Sequence, residues 1–340
     1  MKQAMLTKPG EFSIQRVPTP DINPDQIRIQ VKYTGICGSD IHAYYGEHPF
    51  ISCPIVLGHE SSGKVIEIGK NVKKFCVGDR VVLRPQIVCN KCFLCKNGRY
   101  NICEHLKVIG CQVDGTCAEY FVADEGLFYK LPENISYEVG SLVEPLAVSV
   151  HAIYRGLENV TGKKILVIGA GAIGNLLAQS ALALGAEKVM ITDISESKID
   201  IAQKCGLKCF LNKNSSDIEE SIINYFGPDG MDVIYECSAN PKALNQALSF
   251  ARKGINIVIV GVYSANPAVN VANIQDREYS VKGSLMYTHE DYLEAIRLLE
   301  FGLINAEVLL TRVFNIEDIN NAYKYIESNR DEVLKVLLKM

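Results

Sequence analysis

The segment that most narrows what this chain can fold into is Gly169-Ala-Gly171-Ala172-Ile173-Gly174, with an apolar run, Ile165 to Ile168, before it and a helical stretch, Asn175 to Leu184, after it. A G-x-G-x-x-G between strand and helix fits a dinucleotide pyrophosphate. The first glycine permits the tight turn, the second lets the backbone approach the phosphates, and the third lets helix and strand pack closely. A further apolar run, Lys188 to Thr192, completes a strand, helix, strand unit. Asp193 ends that run nineteen residues past Gly174, where a carboxylate accepts from a ribose 2′-hydroxyl. The same carboxylate repels a 2′-phosphate, and Ile194 and Ser195 follow it instead of an arginine, so NAD is expected over NADP. The bland alternative is a generic glycine turn beside a surface aspartate.

The alternation continues through Asp232 to Glu236, Pro241 to Ala251 and Ile255 to Val260, as a doubly wound parallel sheet requires, so residues 148–284 are expected to form the dinucleotide-binding domain. Upstream the texture is that of short strands: Ile27, Ile29 and Val31 alternate within Gln26 to Gly35, and apolar runs recur at Gly63 to Ile68 and Arg80 to Leu83. Downstream, His289 to Phe301 and Ile316 to Glu327 are amphipathic helical stretches, and Val333 to Leu338 is a closing strand. A chain of 340 residues is long enough for two cores.

Cysteine spacing decides what the twelve thiols are for. Cys89, Cys92 and Cys95 lie at intervals of three, and Cys103 follows eight positions on. Four thiolates in one lobe close a tetrahedral shell and leave no open position, which marks structural zinc; buried or free thiols are the alternative. A second group is spread wider: Cys37, the adjacent pair His59 and Glu60, and Glu144. Sulfur, nitrogen and oxygen donors from separate segments suit a catalytic zinc with a position left for water or substrate, although each residue taken singly is more often core or solvated surface.

The formal net charge of −4, with Lys and Arg dispersed, offers no footprint for nucleic acid. Met1 to Gly10 lacks the apolar run of a signal peptide, and no stretch approaches the ~20 apolar residues of a membrane span, so no membrane partner and a cytoplasmic location are expected.

Gly35-Ile-Cys37-Gly-Ser39-Asp-Ile-His42, Gly58-His59-Glu60, the four-cysteine lobe, Val143-Glu144-Pro145 and the glycine fingerprint occur in the order that resembles the zinc-containing medium-chain dehydrogenase family, over essentially the whole length. The His-Glu pair and the Glu-Pro motif resemble the sorbitol, sugar-acid and threonine dehydrogenases more than the simple alcohol dehydrogenases. The resemblance implies an α/β protein: a mostly-β GroES-like catalytic domain, residues 1–147 and 285–340, and a Rossmann domain. It implies Cys37 and His59 as ligands of catalytic zinc, with Glu60 and Glu144 binding directly or through water. Ser39 and His42 match positions that pass the substrate proton to solvent, and Lys198 matches an adenosine-ribose contact. Gly169, Gly171, Ala172, Ile173, Gly174 and Asp193 complete the NAD site. The implied assembly is a homotetramer first and a dimer second. The implied activity is hydride transfer between NAD and a secondary alcohol, or its ketone, on a polyol or sugar acid, with zinc as Lewis acid on the hydroxyl. An L-threonine 3-dehydrogenase is the enzymatic rival, and a non-catalytic cofactor-sensing relative is the rival from another class.

Some positions depart from the pattern. Arg84 stands where many relatives carry an acid, and it is either a partner for a substrate carboxylate or an exposed, lobe-stabilising residue. Polyol-oxidising relatives often have an arginine near Met286; here Tyr287 is left as a substrate contact. His48, His105, His151 and His289 read as structural, and Cys53, Cys76, Cys111, Cys117, Cys205, Cys209 and Cys237 read as small core residues.

Overall fold

The computed structural model describes residues 1–213, 217–263 and 266–340. Packing divides the chain into one unit of Met1–Glu144 with Leu310–Met340, and a second of Pro145–Leu309.

The second unit is built on a six-stranded, all-parallel sheet in the spatial order Lys208–Leu211, Lys188–Asp193, Lys164–Ile168, Val233–Glu236, Asn256–Ile259, Ser280–Gly283. Helices cover both faces because successive side chains of a strand point to opposite sides. Ile165 and Val167 pack on one face with Ile153, Leu177 and Ala181, and Leu166 and Ile168 on the other with Ile222, Phe226 and Leu248. The strand order reverses between Lys164–Ile168 and Val233–Glu236, and the glycine turn follows the first of these strands. Such a crevice at the carboxyl ends is where open parallel sheets bind ligands.

In the first unit the alternation read at Gln26–Gly35 puts Ile27, Ile29 and Val31 into a core with Val65, Val81, Leu83 and Phe128. This strand pairs antiparallel with Glu60–Ile68, with Tyr120–Asp124 and with the strand Lys335–Lys339. The last of these joins Leu310–Asn315 in parallel, so the end of the chain is stitched into the sheet formed by its beginning. Val336 and Leu338 bury into a second core with Ala4, Leu6, Ile319 and Tyr323.

The expected return to the first unit at residue 285 falls instead at Leu310. The cause is the helix His289–Glu300, whose buried Asp291 Oδ2 lies 2.7 Å from Nδ1 of buried His151 and accepts from the Thr288 backbone N–H and hydroxyl at 2.8 Å each. Asn305 N donates to Gln179 Oε1 at 2.7 Å, which ties the following loop to the second unit as well. His151 is thus structural, as its lack of a ligand role suggested. Tyr287 is fully buried and Met286 holds a positive φ of 53°. A fully buried ring makes no substrate contact, so that expectation for Tyr287 is withdrawn.

Candidate functional site

Cys37 caps the helix Gly38–Tyr44, and Asp40, three positions on, accepts from the Cys37 N–H at 2.9 Å in a capping-box geometry. The cap fixes the Cys37 thiol at the end of strand Gln26–Gly35. Its pairing partner, the strand Glu60–Ile68, opens on Glu60, opposite Gly35, and His59 immediately precedes it. Donor atoms of Cys37, His59 and Glu60 therefore converge to within 4.8 Å of one another. Behind the imidazole, Asp40 Oδ1 stands 3.6 Å from His59 Nδ1. Both atoms are buried without a hydrogen-bond partner, as expected where an ion supplies the missing charge and the carboxylate orients a metal-bound histidine. Burial pushes the Asp40 carboxyl up, opposed by the charge of His59.

Glu60 is 1% exposed, and both its oxygens lie 2.7 Å from Nζ of Lys335, itself 4% exposed. The ammonium also donates to Ile36 O at 3.4 Å. Burial lowers the Lys335 pKa, but Glu60 and Cys37 outweigh it and the net shift is upward, so the lysine stays charged. A Cβ on Gly35 would lie 2.1 Å from Glu60 Oε2, so only glycine leaves room for the carboxylate. Glu144 is buried in the first turn of the helix Val143–Gly156 and adds to the field at Lys335, but it is not among the three converging donors. A thiol, an imidazole and a carboxylate converging beside orphaned buried atoms fit a zinc ion.

Ser39 and His42 share one face of the helix Gly38–Tyr44, three residues apart, both half-buried; His42 Nδ1 is 3.5 Å from Glu47 Oε2.

Cys89, Cys92, Cys95 and Cys103 bring four sulfurs within 4.8 Å, the pairs Cys89–Cys95 and Cys92–Cys103 each at 3.9 Å. Backbone N–H groups point at the sulfurs: Cys92 N at Cys89, Cys95 N at Cys92, and Cys89 N and His105 N at Cys103. The N–H groups of Cys95 and Glu104 pull the Cys92 thiol down to about 6, and four sulfurs so close share negative charge stably only around a cation, so this lobe also fits zinc. Arg84 places its guanidinium 6.0 Å from the Tyr100 ring of the same lobe. The cavity that it lines includes none of Cys37, His59, Glu60 and Glu144, which favours the lobe-stabilising reading over a substrate contact.

The three fingerprint glycines do three different things. Gly169 has φ 100°, and a Cβ there would meet Ser238 N at 2.9 Å; Gly174 approaches so closely that a Cβ would lie 1.9 Å from Gly169 O. Gly171 faces open space, with nothing within 4 Å. It caps the helix Ala172–Ala183 with no side-chain hydrogen bond, leaving the first N–H groups, beginning with those of Ala172 and Ile173, at the place where an anion is held. Asp193 ends its strand beside this turn, Oδ2 accepting from Ala170 N at 2.7 Å and Oδ1 from Ser195 N at 2.9 Å. Lys198 lies half-buried in the first turn of the helix Glu196–Lys204.

Sequence reasoning missed three residues here. Asp40 was signalled by its capping-box spacing from Cys37. Lys335 was signalled by a charge inside the apolar run Val333 to Leu338. Cys111, read as a core thiol, lies beside His59, and burial pushes its pKa up.

Residues 23–133 match the family model of the alcohol dehydrogenase GroES-like domain, and residues 172–300 that of the zinc-binding dehydrogenases. The chain is 33% identical to a sorbitol dehydrogenase of Bacillus subtilis, over 99% of this chain and 97% of that protein. It is 35% identical to a D-arabitol-phosphate dehydrogenase of Enterococcus avium, over 98% and 97%. Among solved structures, galactitol-1-phosphate dehydrogenase of Escherichia coli superposes with a TM-score of 0.92 at 28% identity, covering all of both chains.

Proposed function

Because this chain belongs to the zinc-containing medium-chain dehydrogenase family, in its sorbitol-dehydrogenase-like branch, we propose that it interconverts a secondary alcohol and a ketone on a polyol, with NAD as the hydride carrier. The observation that carries this reading is the convergence of Cys37, His59 and Glu60 donors within 4.8 Å. When bound there, zinc supplies the Lewis acidity that brings the pKa of a hydroxyl toward neutrality. Cys37 and His59 would hold the ion, with Glu60 and Glu144 binding it directly or through water, and Ser39 and His42 would pass the hydroxyl proton outward along one helix face. The N–H groups that follow Gly171 hold the pyrophosphate, Asp193 takes the adenosine ribose and disfavours a 2′-phosphate, and Lys198 supports the same ribose.

The polyol class is favoured by the relatives acting on sorbitol, arabitol phosphate and galactitol phosphate. Arg84, the residue that suited a sugar acid, faces Tyr100 instead, so aldonates rank behind polyols and threonine behind both. The proposed assembly is a homotetramer, with a dimer second. Among the described residues no helix is long and apolar enough to cross a membrane, and the proposed location is the cytoplasm.

The test is NADH formation, with and without a chelator, across polyols, polyol phosphates, hexonates, inositols and threonine. Chelator-sensitive turnover of a polyol is expected. Cys37→Ser should abolish it while leaving NAD binding unchanged. Turnover of threonine alone would replace the polyol reading, and turnover surviving in Cys37→Ser would remove the metal assignment.

A further inference from the structure

We infer that Glu236 is a positioning residue of the dinucleotide crevice, and that its buried charge favours the oxidised, cationic nicotinamide over the reduced, neutral one. The inference rests on the reading of the glycine turn and Asp193 as an NAD site.

Glu236 ends the strand Val233–Glu236 and is 0% exposed. Every bond that its carboxylate makes is one that it accepts: Oε1 takes the Ser238 N–H at 2.8 Å and the Ser238 hydroxyl, and Oε2 takes the Tyr263 hydroxyl at 2.9 Å. Among the described residues no lysine, arginine or histidine pairs with it. Burial, with the charge of Glu236 behind it, pushes the Tyr263 hydroxyl up, so that group stays a donor. The Glu236 carbonyl accepts from Val260 N and Gly261 N at 2.9 Å each, and Cys237 N donates to Ile168 O at 2.8 Å. The ends of three adjacent strands are thus joined around one carboxylate. Packing there is tight: a Cβ on Gly169 would meet Ser238 N at 2.9 Å, and one on Gly261 would meet Ala239 N at 2.5 Å.

Asp193 and the glycine turn take the adenosine ribose and the pyrophosphate on one side of the point where the strand order reverses. A dinucleotide spans both halves of such a sheet, so its nicotinamide half falls on the other side, over the ends of Val233–Glu236 and Asn256–Ile259 that Glu236 ties together. The oxidised ring carries one positive charge and the reduced ring none, and every other group of the cofactor is the same in both forms. A fixed buried anion without a counter-charge therefore adds to the affinity of one form and leaves the other as it was.

Dissociation constants of NAD+ and NADH, each measured by calorimetry on the zinc-loaded protein, test this without recourse to turnover. In Glu236→Gln the amide oxygen keeps both Ser238 donors and the amide nitrogen donates to the Tyr263 oxygen, so the loops stay joined while the charge goes. NAD+ then binds about tenfold more weakly and NADH within about twofold of the parent, the order expected of a unit charge ~10 Å away at an effective dielectric of about 20. Asp193→Asn, on the adenosine side, weakens both forms alike. If Glu236→Gln does not fold, Glu236→Met with Tyr263→Phe, which removes the carboxylate and one of its donors together, is read in the same way. NAD+ affinity unchanged in the neutral variant, or NAD+ and NADH weakened by the same factor as a merely structural role requires, would overturn the proposal. A parent protein that binds neither form would instead sink the reading of the NAD site, and the inference with it.

Discussion

Gly35→Ala puts the packing around Glu60 to a direct test. Gly35 lies at the end of a regular strand with no positive φ, so alanine suits its backbone and should by itself stabilise by about 0.4–1 kcal/mol through the unfolded chain. The added Cβ, however, falls 2.1 Å from Glu60 Oε2, where ordinary contact begins at 3.4 Å. The carboxylate must retreat by about 1.3 Å, and it has nowhere to go, because Lys335 holds both oxygens at 2.7 Å in a buried pocket. Overpacking of this kind costs about 1–3 kcal/mol, and opening a buried ion pair pushes the cost toward about 3–5 kcal/mol. A net loss of about 2–4 kcal/mol follows once the backbone gain is subtracted. For a unit of this size the melting temperature should fall by roughly 5–15 °C, measured by calorimetry beside Gly38→Ala as control, since a Cβ at Gly38 meets nothing within 4 Å. A Gly35→Ala protein as stable as the parent, or more so, would refute the argument that Glu60 is locked in place.

Two further outcomes can be checked on the same protein. Cys95→Ser should lower the zinc content by one ion per chain and destabilise the lobe, and an unchanged zinc content with a normal melting curve would remove the structural-zinc assignment. Asp193→Asn keeps an acceptor but loses the charge: kcat/KM with NAD should fall by roughly tenfold or more, the scale of a charge-assisted hydrogen bond, while the discrimination against NADP narrows. An unchanged NAD-to-NADP ratio would show that Asp193 does not read the ribose.

The parts of this molecule legible in the sequence are those whose physics is local. The glycine turn, its flanking strand and helix, and the cysteine lobe each need only neighbours along the chain, and they stand where spacing placed them. What escaped were pairings across long separations. The contact between Lys335 and Glu60 spans 275 positions, and no periodicity reports it, although a lysine within an apolar strand was a visible anomaly. The return was expected at residue 285 rather than at Leu310 because the helix His289–Glu300 looks amphipathic whichever unit it packs on. The link that decides it, between His151 and Asp291, spans 140 positions. Arg84 and Tyr287 were read from their position relative to motifs, and burial and a neighbouring ring, which motifs do not encode, decided both.

The strand Lys335–Lys339 ties the centre to the order in which the chain is made. Residues Met1–Glu144 are made before the second unit, yet the strands Leu310–Asn315 and Lys335–Lys339 that complete one side of their sheet, and the cation for Glu60, come only after it. Between the two pieces lies Pro145–Leu309, which at about 5–20 residues per second takes on the order of ten to thirty seconds to synthesise. By the end of that interval the second unit has all its own strands and can fold, whereas the first still waits with an open sheet edge, an uncompensated carboxylate beside Cys37 and a cysteine lobe. Chains released after Leu309 should therefore hold a protease-resistant second unit and a protease-sensitive first one, and should offer their thiols to any metal or oxidant before the site that selects the right ion is complete.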